Sequence, residues 1–284
     1  MDGFLLINKP KNITSFGLCN KIKKKLNIDK IGHNGTLDPN AEGLMLIGVN
    51  RATKLLKLFD NDTKEYVAKI IFGYDSDTLD MDSKNIKEIK SDINIKDIPF
   101  ALNKLKLQDT QIPPLTSAIK INGKKLYQYQ RENIDIEVIE RNVKLYDYEL
   151  INSYYINDHL EIEIRLKVSK GYYIRSFAHD LGKLLNSPAI VHELKRTKIG
   201  KFNIIDSKDL DNININDIIP IEDFLDLPIV EVKDYLYNMI LNGITLDERQ
   251  TNIDGAFYVK CNCDIIAIYE KKEDNKYKPI IIFK

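Results

Sequence analysis

Residues 31–43 read IGHNGTLDPNAEG, and residues 44–49, directly after them, read LMLIGV. The first stretch has three glycines, two asparagines and one proline in thirteen residues, a composition typical of a loop. The second is an unbroken apolar run, typical of a buried strand. We therefore predict a loop that presents His33 and Asp38 at the edge of a buried strand, the kind of place where rigid scaffolds hold catalytic groups.

The segments on either side of this loop alternate between strand and helix patterns. Residues 3–8 predict a short apolar strand, and Thr14-Ser15 is a typical cap for a following helix. The predicted buried face of that helix consists of Phe16, Cys19, Ile22 and Leu26. After the buried strand we predict a helix over 51–58. Its inward positions are Ala52, Leu55, Leu56 and Phe59. A strand over 66–72 then follows.

The second half of the chain continues in the same mixed manner. We predict a helix over 98–107, a break at Pro113-Pro114, a strand over 117–121 that ends in an Asn122-Gly123 turn, a strand over 160–168, and a helix after Arg175. Strands and helices without a regular βαβ repeat favour an α+β fold. Residues 206–228 resemble a linker, so we expect one domain over 1–228 and a small, mostly β domain over 229–284.

Composition and charge exclude several classes of protein. The 284 residues carry 42 basic and 42 acidic side chains, which gives no overall bias toward nucleic acid. Residues 1–60, however, hold 10 basic and 5 acidic residues, and residues 151–200 hold 8 and 5. Phosphate binding needs only such local positive potential, although solvated lysine-rich helices give the same pattern. No apolar stretch approaches the roughly 20 residues of a membrane span. The N-terminus does not resemble a signal peptide, which predicts a cytoplasmic protein.

Two sequence patterns resemble metal sites, but neither has the ligand residues at the spacing that a metal site requires. The cysteines, Cys19, Cys261 and Cys263, are not accompanied by the further ligands of a zinc site. The acidic stretch 75–82 resembles a calcium loop, but a leucine occupies the third ligand position, at Leu79, and an isoleucine the twelfth, at Ile86. We predict no metal.

Single residues leave the chemistry open. Asp38 before a proline is ordinary turn chemistry, and the local sequence alone favours that interpretation over a catalytic one. His33 is a candidate base or a residue that orders the loop by hydrogen bonding. Arg175 follows an apolar and aromatic run, and a half-buried arginine needs a carboxylate or a phosphate as its partner. Tyr66 and Tyr173 are by default core aromatics.

Taken together, these residues resemble the bacterial TruB family of tRNA pseudouridine-55 synthases. The stretch 32–43 is similar to the family's GHxGxLDPxAxG signature loop. The similarity continues in order through Lys9-Pro10, Lys64-Glu65-Tyr66, residues 73–80, residues 112–127, the SKGYYIR stretch at 169–175 and the HELKR stretch at 192–196. The part from about residue 229 resembles the family's PUA-like domain only weakly. Seven blocks in the same order make a chance similarity implausible.

The resemblance implies a fold, a reaction and a set of residue roles. It implies a mostly antiparallel mixed sheet flanked by helices, an RNA-gripping insertion at about 111–141, and conversion of uridine to pseudouridine at position 55 in the T-loop of tRNA without a cofactor. Asp38 would be the nucleophile, Arg175 would hold its orientation and charge, and Tyr66 would stack on the uracil and assist proton transfer. Tyr173 and Leu194 would line the pocket, and His33 would fill the space of the flipped nucleotide. The predicted RNA contacts are Lys9, Lys23, Lys24, Lys25, Lys120, Lys124, Lys125 and Arg196.

The partner expected from the resemblance is the T-arm stem-loop of tRNA, bound by a monomer. Two other functions are compatible with the same residues. One is a non-catalytic RNA-binding or tRNA-chaperone protein, which has no need for a carboxylate where phosphate must approach. The other is a synthase of the same fold that acts on ribosomal RNA. The ordered blocks and the insertion at about 111–141 favour tRNA.

Overall fold

The computed structural model describes residues 1–132, 134–273 and 275–283. The strands, in chain order, are β1 Gly3–Lys9, β2 Ile31–Asn34, β3 Glu42–Val49, β4 Lys64–Phe72, β5 Tyr74–Ser76, β6 Ile86–Glu88, β7 Thr110–Gln111, β8 Lys120–Ile121, β9 Lys124–Lys125, β10 Arg141–Asn142, β11 Leu145–Ile156, β12 His159–Val168, β13 Ala189–Ile199, β14 Phe202–Asn203, β15 Lys208–Asp209, β16 Ile219–Pro220, β17 Ile229–Glu231, β18 Leu246–Asp247, β19 Ala256–Cys261, β20 Asp264–Glu273 and β21 Lys276–Ile282. The α-helices are α1 Ser15–Leu26, α2 Ile98–Lys106, α3 Leu126–Arg131, α4 Ile174–Leu184, α5 Ile221–Phe224 and α6 Tyr237–Leu241.

A large mixed sheet organises the part of the chain before β17, with the strand order β11-β12-β4-β13-β3-β1-β15. Its pairs are antiparallel except β13 with β3 and β1 with β15. The strand β13 meets β3 only at Lys195 and Arg196, so the two strands diverge beyond that point. The loop that carries Asp38 enters β3 next to this divergence, and the sheet therefore opens where the functional residues lie.

The two faces of the large sheet bury different partners. Alternating side chains of β1, β3, β4 and β12 pack on one face against α1, α2 and α4. On the other face, Phe4 of β1 stacks on Phe224 at a centroid distance of 4.0 Å. The same core contains Tyr258 of β19 and Phe283, which directly follows β21. The C-terminal strands form a separate sheet in the order β17-β19-β20-β21-β18. The predicted α+β class and the small β-rich C-terminal part are thus confirmed, and the boundary at 228/229 stays a prediction.

Several local predictions are wrong in detail. The helix α1 buries Leu18 rather than Phe16, whose side chain is 71% exposed. The predicted helix over 51–58 consists of two short 3-10 helices, Asn50–Lys54 and Leu56–Phe59, although its inward residues are buried as expected. The predicted strand over 117–121 is reduced to β8. Arg175, which the sequence places before a helix, lies in the first turn of α4.

Candidate active site

The loop that carries Asp38 is held from both sides by buried polar side chains. Ser15, at the start of α1, donates a hydrogen bond from its hydroxyl to the carbonyl of Leu37 (3.0 Å) and accepts one from the amide of the same residue (2.9 Å). The ammonium of Lys9, at the end of β1, donates to the carbonyl of Pro39 (3.0 Å). Both neighbours of Asp38 are therefore fixed to the sheet and to α1, which fixes the direction of the Asp38 side chain.

Arg196 fastens the two ends of the same loop. Its guanidinium donates to the carbonyl of Gly35 (3.3 Å) and, through Nε, to that of Leu44 (2.7 Å). Gly43 has a φ of 115°, and a Cβ there would lie 2.3 Å from the carbonyl oxygen of Arg196. Glycine is thus required where β3 approaches β13. The position of the loop therefore depends on its contacts with β13 as well as on its own turn-forming residues.

The burial of Lys9 and Arg196 leaves little of either side chain exposed for a contact with RNA, and that role stays a prediction. Lys9 is 0% and Arg196 1% exposed. The Lys9 ammonium is occupied by the carbonyls of Pro10, Ile13 and Pro39, and burial lowers the pKa of Lys9 to about 8. Both side chains support the Asp38 loop, and Arg196 also lines the cavity beside Asp38.

Ser15→Ala should lower both the free energy of unfolding and the rate of the reaction that the site catalyses. The substitution leaves the buried amide and carbonyl of Leu37 unpaired, at a cost of about 1–3 kcal/mol in the free energy of unfolding. It also releases one side of the Asp38 loop. Thermal unfolding and single-turnover kinetics measure the two effects. Ser187→Ala is the matched control, because its buried hydroxyl donates to Ser91 (2.7 Å) in another part of the molecule. Equal rates in the two variants would contradict the role of Ser15.

Arg175 binds Asp38 through two parallel contacts. Its Nε lies 3.0 Å from one carboxylate oxygen, and one terminal nitrogen lies 3.2 Å from the other. The arginine side chain is 5% exposed, whereas that of Asp38 is 38% exposed. A fork of this kind fixes the plane of a carboxylate. The pair therefore presents an oriented carboxylate that still has an open side.

The remaining donors of Arg175 are also satisfied. They contact the carbonyl of Thr78 (2.9 Å), the carbonyl of Thr116 (3.1 Å), the hydroxyl of Thr116, and the carboxylate of Asp80 at 3.5 Å. The guanidinium thus joins α4, the loop after β5 and the segment before β8. Because three separate parts of the chain position this guanidinium, its orientation toward Asp38 is fixed.

Asp80 is a site residue that the sequence interpretation missed. Its carboxylate accepts from the hydroxyl of Thr78 and faces Arg175. Burial raises the pKa of Asp80. Burial, together with the charges of Asp80 and Asp38, also raises the pKa of Asp82 to about 6. The resemblance covers residues 73–80 but assigns Asp80 no role. The signal that could have found Asp80 is the need of a buried arginine for anionic partners.

A cavity of about 280 Å³ opens beside the Asp38–Arg175 pair, and we call it the central cavity. Its lining includes Asp38, Tyr66, Tyr173, Arg175 and Leu194. The backbone of Tyr173 is fixed by Gln111, which accepts from its amide (2.8 Å) and donates to its carbonyl (3.0 Å). Burial raises the pKa of the Tyr173 phenol. The structure thus brings together residues from four separate parts of the sequence.

His33 lies next to this cavity and is not among the residues that line it. It is on β2, one residue before the lining residue Asn34. Its Nδ1 is buried without a hydrogen-bond partner among the described residues. Burial and the neighbouring Arg196 lower the pKa of His33, so the ring favours its neutral form.

The remaining predicted RNA contacts are distributed over two surface regions. Lys23, Lys24 and Lys25 form the last turn of α1, but Lys25 donates to the carbonyl of Leu210 (3.0 Å) and so serves a contact within the protein. The other region is the hairpin of β8 and β9, whose lysines are Lys120, Lys124 and Lys125. Lys124 pairs with Glu132 and lies 4.9 Å from the ring of Tyr129.

The described residues contain neither a cluster of metal ligands nor a membrane-spanning helix. No group of three or more His, Cys, Asp or Glu side chains there could hold a metal ion. Across the same residues, the helices are too short or too polar to cross a membrane.

The chain is similar to known proteins in sequence and in fold. Residues 23–174 match the family model described as TruB family pseudouridylate synthase, N-terminal domain. The full chain is 38% identical over 290 residues to the tRNA pseudouridine synthase B of Onion yellows phytoplasma (strain OY-M), with 100% of both chains covered. It is 36% identical over 284 residues to that of Acholeplasma laidlawii (strain PG-8A), again with 100% of both covered.

Among solved structures, a chain from the crystal structure of a Cbf5-Nop10-Gar1 complex has a TM-score of 0.68 at 24% identity, covering 99% of this chain and 84% of that chain. This similarity concerns the fold, which has the same large mixed sheet and C-terminal β part.

Proposed function

Because the chain belongs to the TruB family of pseudouridylate synthases, and is therefore an isomerase, we propose that it converts uridine to pseudouridine at position 55 in the T-loop of tRNA. The observation that carries the proposal is the carboxylate of Asp38, held by two contacts to Arg175 at the edge of the central cavity.

Asp38 is the nucleophile in this proposal. The reaction breaks the bond between C1′ of the ribose and N1 of the uracil, and forms a bond between C1′ and C5. The proton on C5 is lost, N1 gains a proton, and no electrons enter or leave overall. A carboxylate that bonds transiently to the substrate divides this exchange into two easier steps. The fork of Arg175 fixes the carboxylate plane, while its open side faces the substrate.

The base would occupy the central cavity. Tyr66 and Leu194 offer it a flat and an apolar surface, and Tyr173 closes the side next to Arg175. Tyr66, which lines the same cavity, would also assist proton transfer at C5 in this proposal. Flipping a nucleotide out of its stack costs a few kcal/mol, and less from a loop than from a duplex. His33 is half-buried, one residue before the lining residue Asn34, and would take the space that the flipped nucleotide leaves.

Mapping of pseudouridine in tRNA tests the proposal. Total tRNA from a strain that lacks this gene should lose pseudouridine at position 55, and restoring the chain should bring it back. If an Asp38 variant that forms no pseudouridine restores growth as well as the wild-type chain does, the RNA-chaperone alternative is favoured. Pseudouridine that changes only in ribosomal RNA would support the other alternative.

The two lysine regions should contribute to RNA affinity by binding phosphates. Replacing Lys124 and Lys125 with Gln, or Lys23 and Lys24 with Gln, should reduce the slope of log affinity against log salt by up to about 1 for each phosphate that the variant no longer binds. Filter binding over a salt series measures the slope. Slopes equal to that of the wild-type protein in both variants would show that these lysines are only solvated.

Activity should survive treatment of the protein with EDTA. The reaction needs neither a redox change nor a phosphate donor, and the sequence lacks the spacing of known metal and nucleotide motifs. Pseudouridine formation in a stem-loop RNA, before and after chelation and dialysis, measures this. Loss of activity that one added metal restores would contradict the prediction.

A further inference from the structure

A shallow open depression of about 340 Å³ adjoins the central cavity, and we call it the outer trough. Its lining consists of Asn61, Asn142, Val143, Lys144, Ser169 and Lys170. Ser169 and Lys170 line the central cavity as well. The two depressions therefore share an edge at Ser169 and Lys170, and none of the roles described above uses the outer trough.

The base of the outer trough is rigid. The amide of Lys144 donates to the hydroxyl of Ser169 (2.8 Å), and the amide of Ser169 donates to the carbonyl of Lys144 (2.9 Å). Val143, between the exposed side chains of Asn142 and Lys144, is buried. These contacts place the backbone of Lys144 directly beside the segment that leads into α4, so two lysines from distant parts of the chain share one surface.

The charge of the outer trough is positive. Lys144 is exposed, and its ammonium lies 5.6 Å from the ring of Tyr146. Lys170 pairs with Asp60 at 3.4 Å, with side chains that are 56% and 49% exposed. An ion pair so exposed contributes little, so a phosphate can take the place of Asp60 at low cost. Asn61 and Asn142 add neutral hydrogen-bond donors beside the two ammonium groups.

We propose that the outer trough binds the RNA backbone beside the flipped uridine, with Lys144 and Lys170 each contacting a phosphate. The inference rests on the proposed function for the identity of the ligand. The RNA on either side of a nucleotide in the central cavity must run over the surface around that cavity. The outer trough lies on this surface and offers two cations and two amides. Phosphate contacts of this kind fix the register of the RNA and carry no sequence information themselves.

The test compares binding of a T-arm stem-loop RNA to the wild-type protein and to Lys144→Gln, Lys170→Gln and the double variant. The double variant should bind more weakly, and its salt slope should fall by about 0.7–0.9 for each phosphate that it no longer binds. In single-turnover experiments, the weaker binding should appear mainly in the enzyme concentration needed for half-maximal rate. Lys276→Gln is the matched control, because Lys276 is 59% exposed and pairs with Glu273 at 3.3 Å on the C-terminal sheet.

A second set of RNAs locates the contact. Each carries one uncharged methylphosphonate next to the target uridine. At the contacted phosphate this change should weaken binding of the wild-type protein but add little in the double variant, since the interaction is already absent. A wild-type salt slope in the double variant, or fully additive effects at every position, would overturn the inference.

The same experiments separate this inference from the proposed function. If the double variant shows the expected slope and non-additivity while the wild-type protein forms no pseudouridine in the RNA, the proposed function fails and the outer trough stands. If pseudouridine forms at the T-loop uridine while the slope is unchanged in the double variant, the inference fails and the proposed function stands.

Discussion

Asp38→Asn should abolish pseudouridine formation, with a loss of at least about a thousandfold in single-turnover rate, because the nucleophile itself is removed. The amide has nearly the same shape as the carboxylate, so RNA affinity should stay within a few-fold of the wild-type value. Release of tritium from uridine labelled at C5 measures the rate, and filter binding measures the affinity.

The control for Asp38→Asn is Asp147→Asn. Asp147 also forms an ion pair, with Lys106 at 3.5 Å, but it lies outside the residues that line the central cavity. The control separates loss of a surface ion pair from loss of the nucleophile. Residual activity of Asp38→Asn within tenfold of the wild-type rate would remove Asp38 as the nucleophile.

Arg175→Lys should be nearly as damaging, although it conserves the charge. The guanidinium contacts both oxygens of Asp38, the carbonyls of Thr78 and Thr116, and Asp80. An ammonium has three donors on a flexible stem and cannot reproduce this set. Misplacement of the nucleophile by about 1 Å costs on the order of a hundredfold in rate. The unpaired carbonyls should also lower the free energy of unfolding by about 1–3 kcal/mol each.

Two measurements separate the roles of Arg175. If it positions Asp38, the rate at saturating enzyme should fall while RNA affinity is nearly unchanged. If it contacts phosphate, affinity should fall while the rate at saturation stays near normal, which would remove Arg175 from the catalytic residues. Arg165→Lys is the matched control, because Arg165 pairs with Glu149 on the exposed surface of β11 and β12.

The sequence predicts the loop around Asp38 and the buried strand after it because local composition is sufficient there. It misses the strand β2, Ile31–Asn34, which lies inside the predicted loop and pairs with β3. It cannot distinguish a catalytic aspartate from an ordinary turn residue at position 38. That distinction depends on Arg175, 137 residues later in the chain, whose partner is visible only after folding. The resemblance to a known family implies this pairing, and the structure shows the contact itself.

The errors of the sequence interpretation have physical causes. Lysine and arginine are seldom fully buried, so no local pattern marks Lys9 and Arg196 as interior residues, and the resemblance implies RNA contacts for both. Their interior positions are possible because backbone carbonyls take up their hydrogen bonds. Periodicity allows two neighbouring faces for a short helix, and packing selects Leu18 rather than Phe16. The outer trough joins residues near positions 61, 143 and 170, a proximity that no local pattern encodes.

The most direct test of the central claim uses an unmodified tRNA transcript and the purified protein, with no cofactor or metal added. Pseudouridine is mapped at every uridine after reaction with the wild-type protein and with Asp38→Asn. The account predicts nearly complete conversion at position 55, no conversion at other positions, and none at all with the variant. Conversion at a different uridine, no conversion by the wild-type protein, or conversion by the Asp38 variant would contradict it.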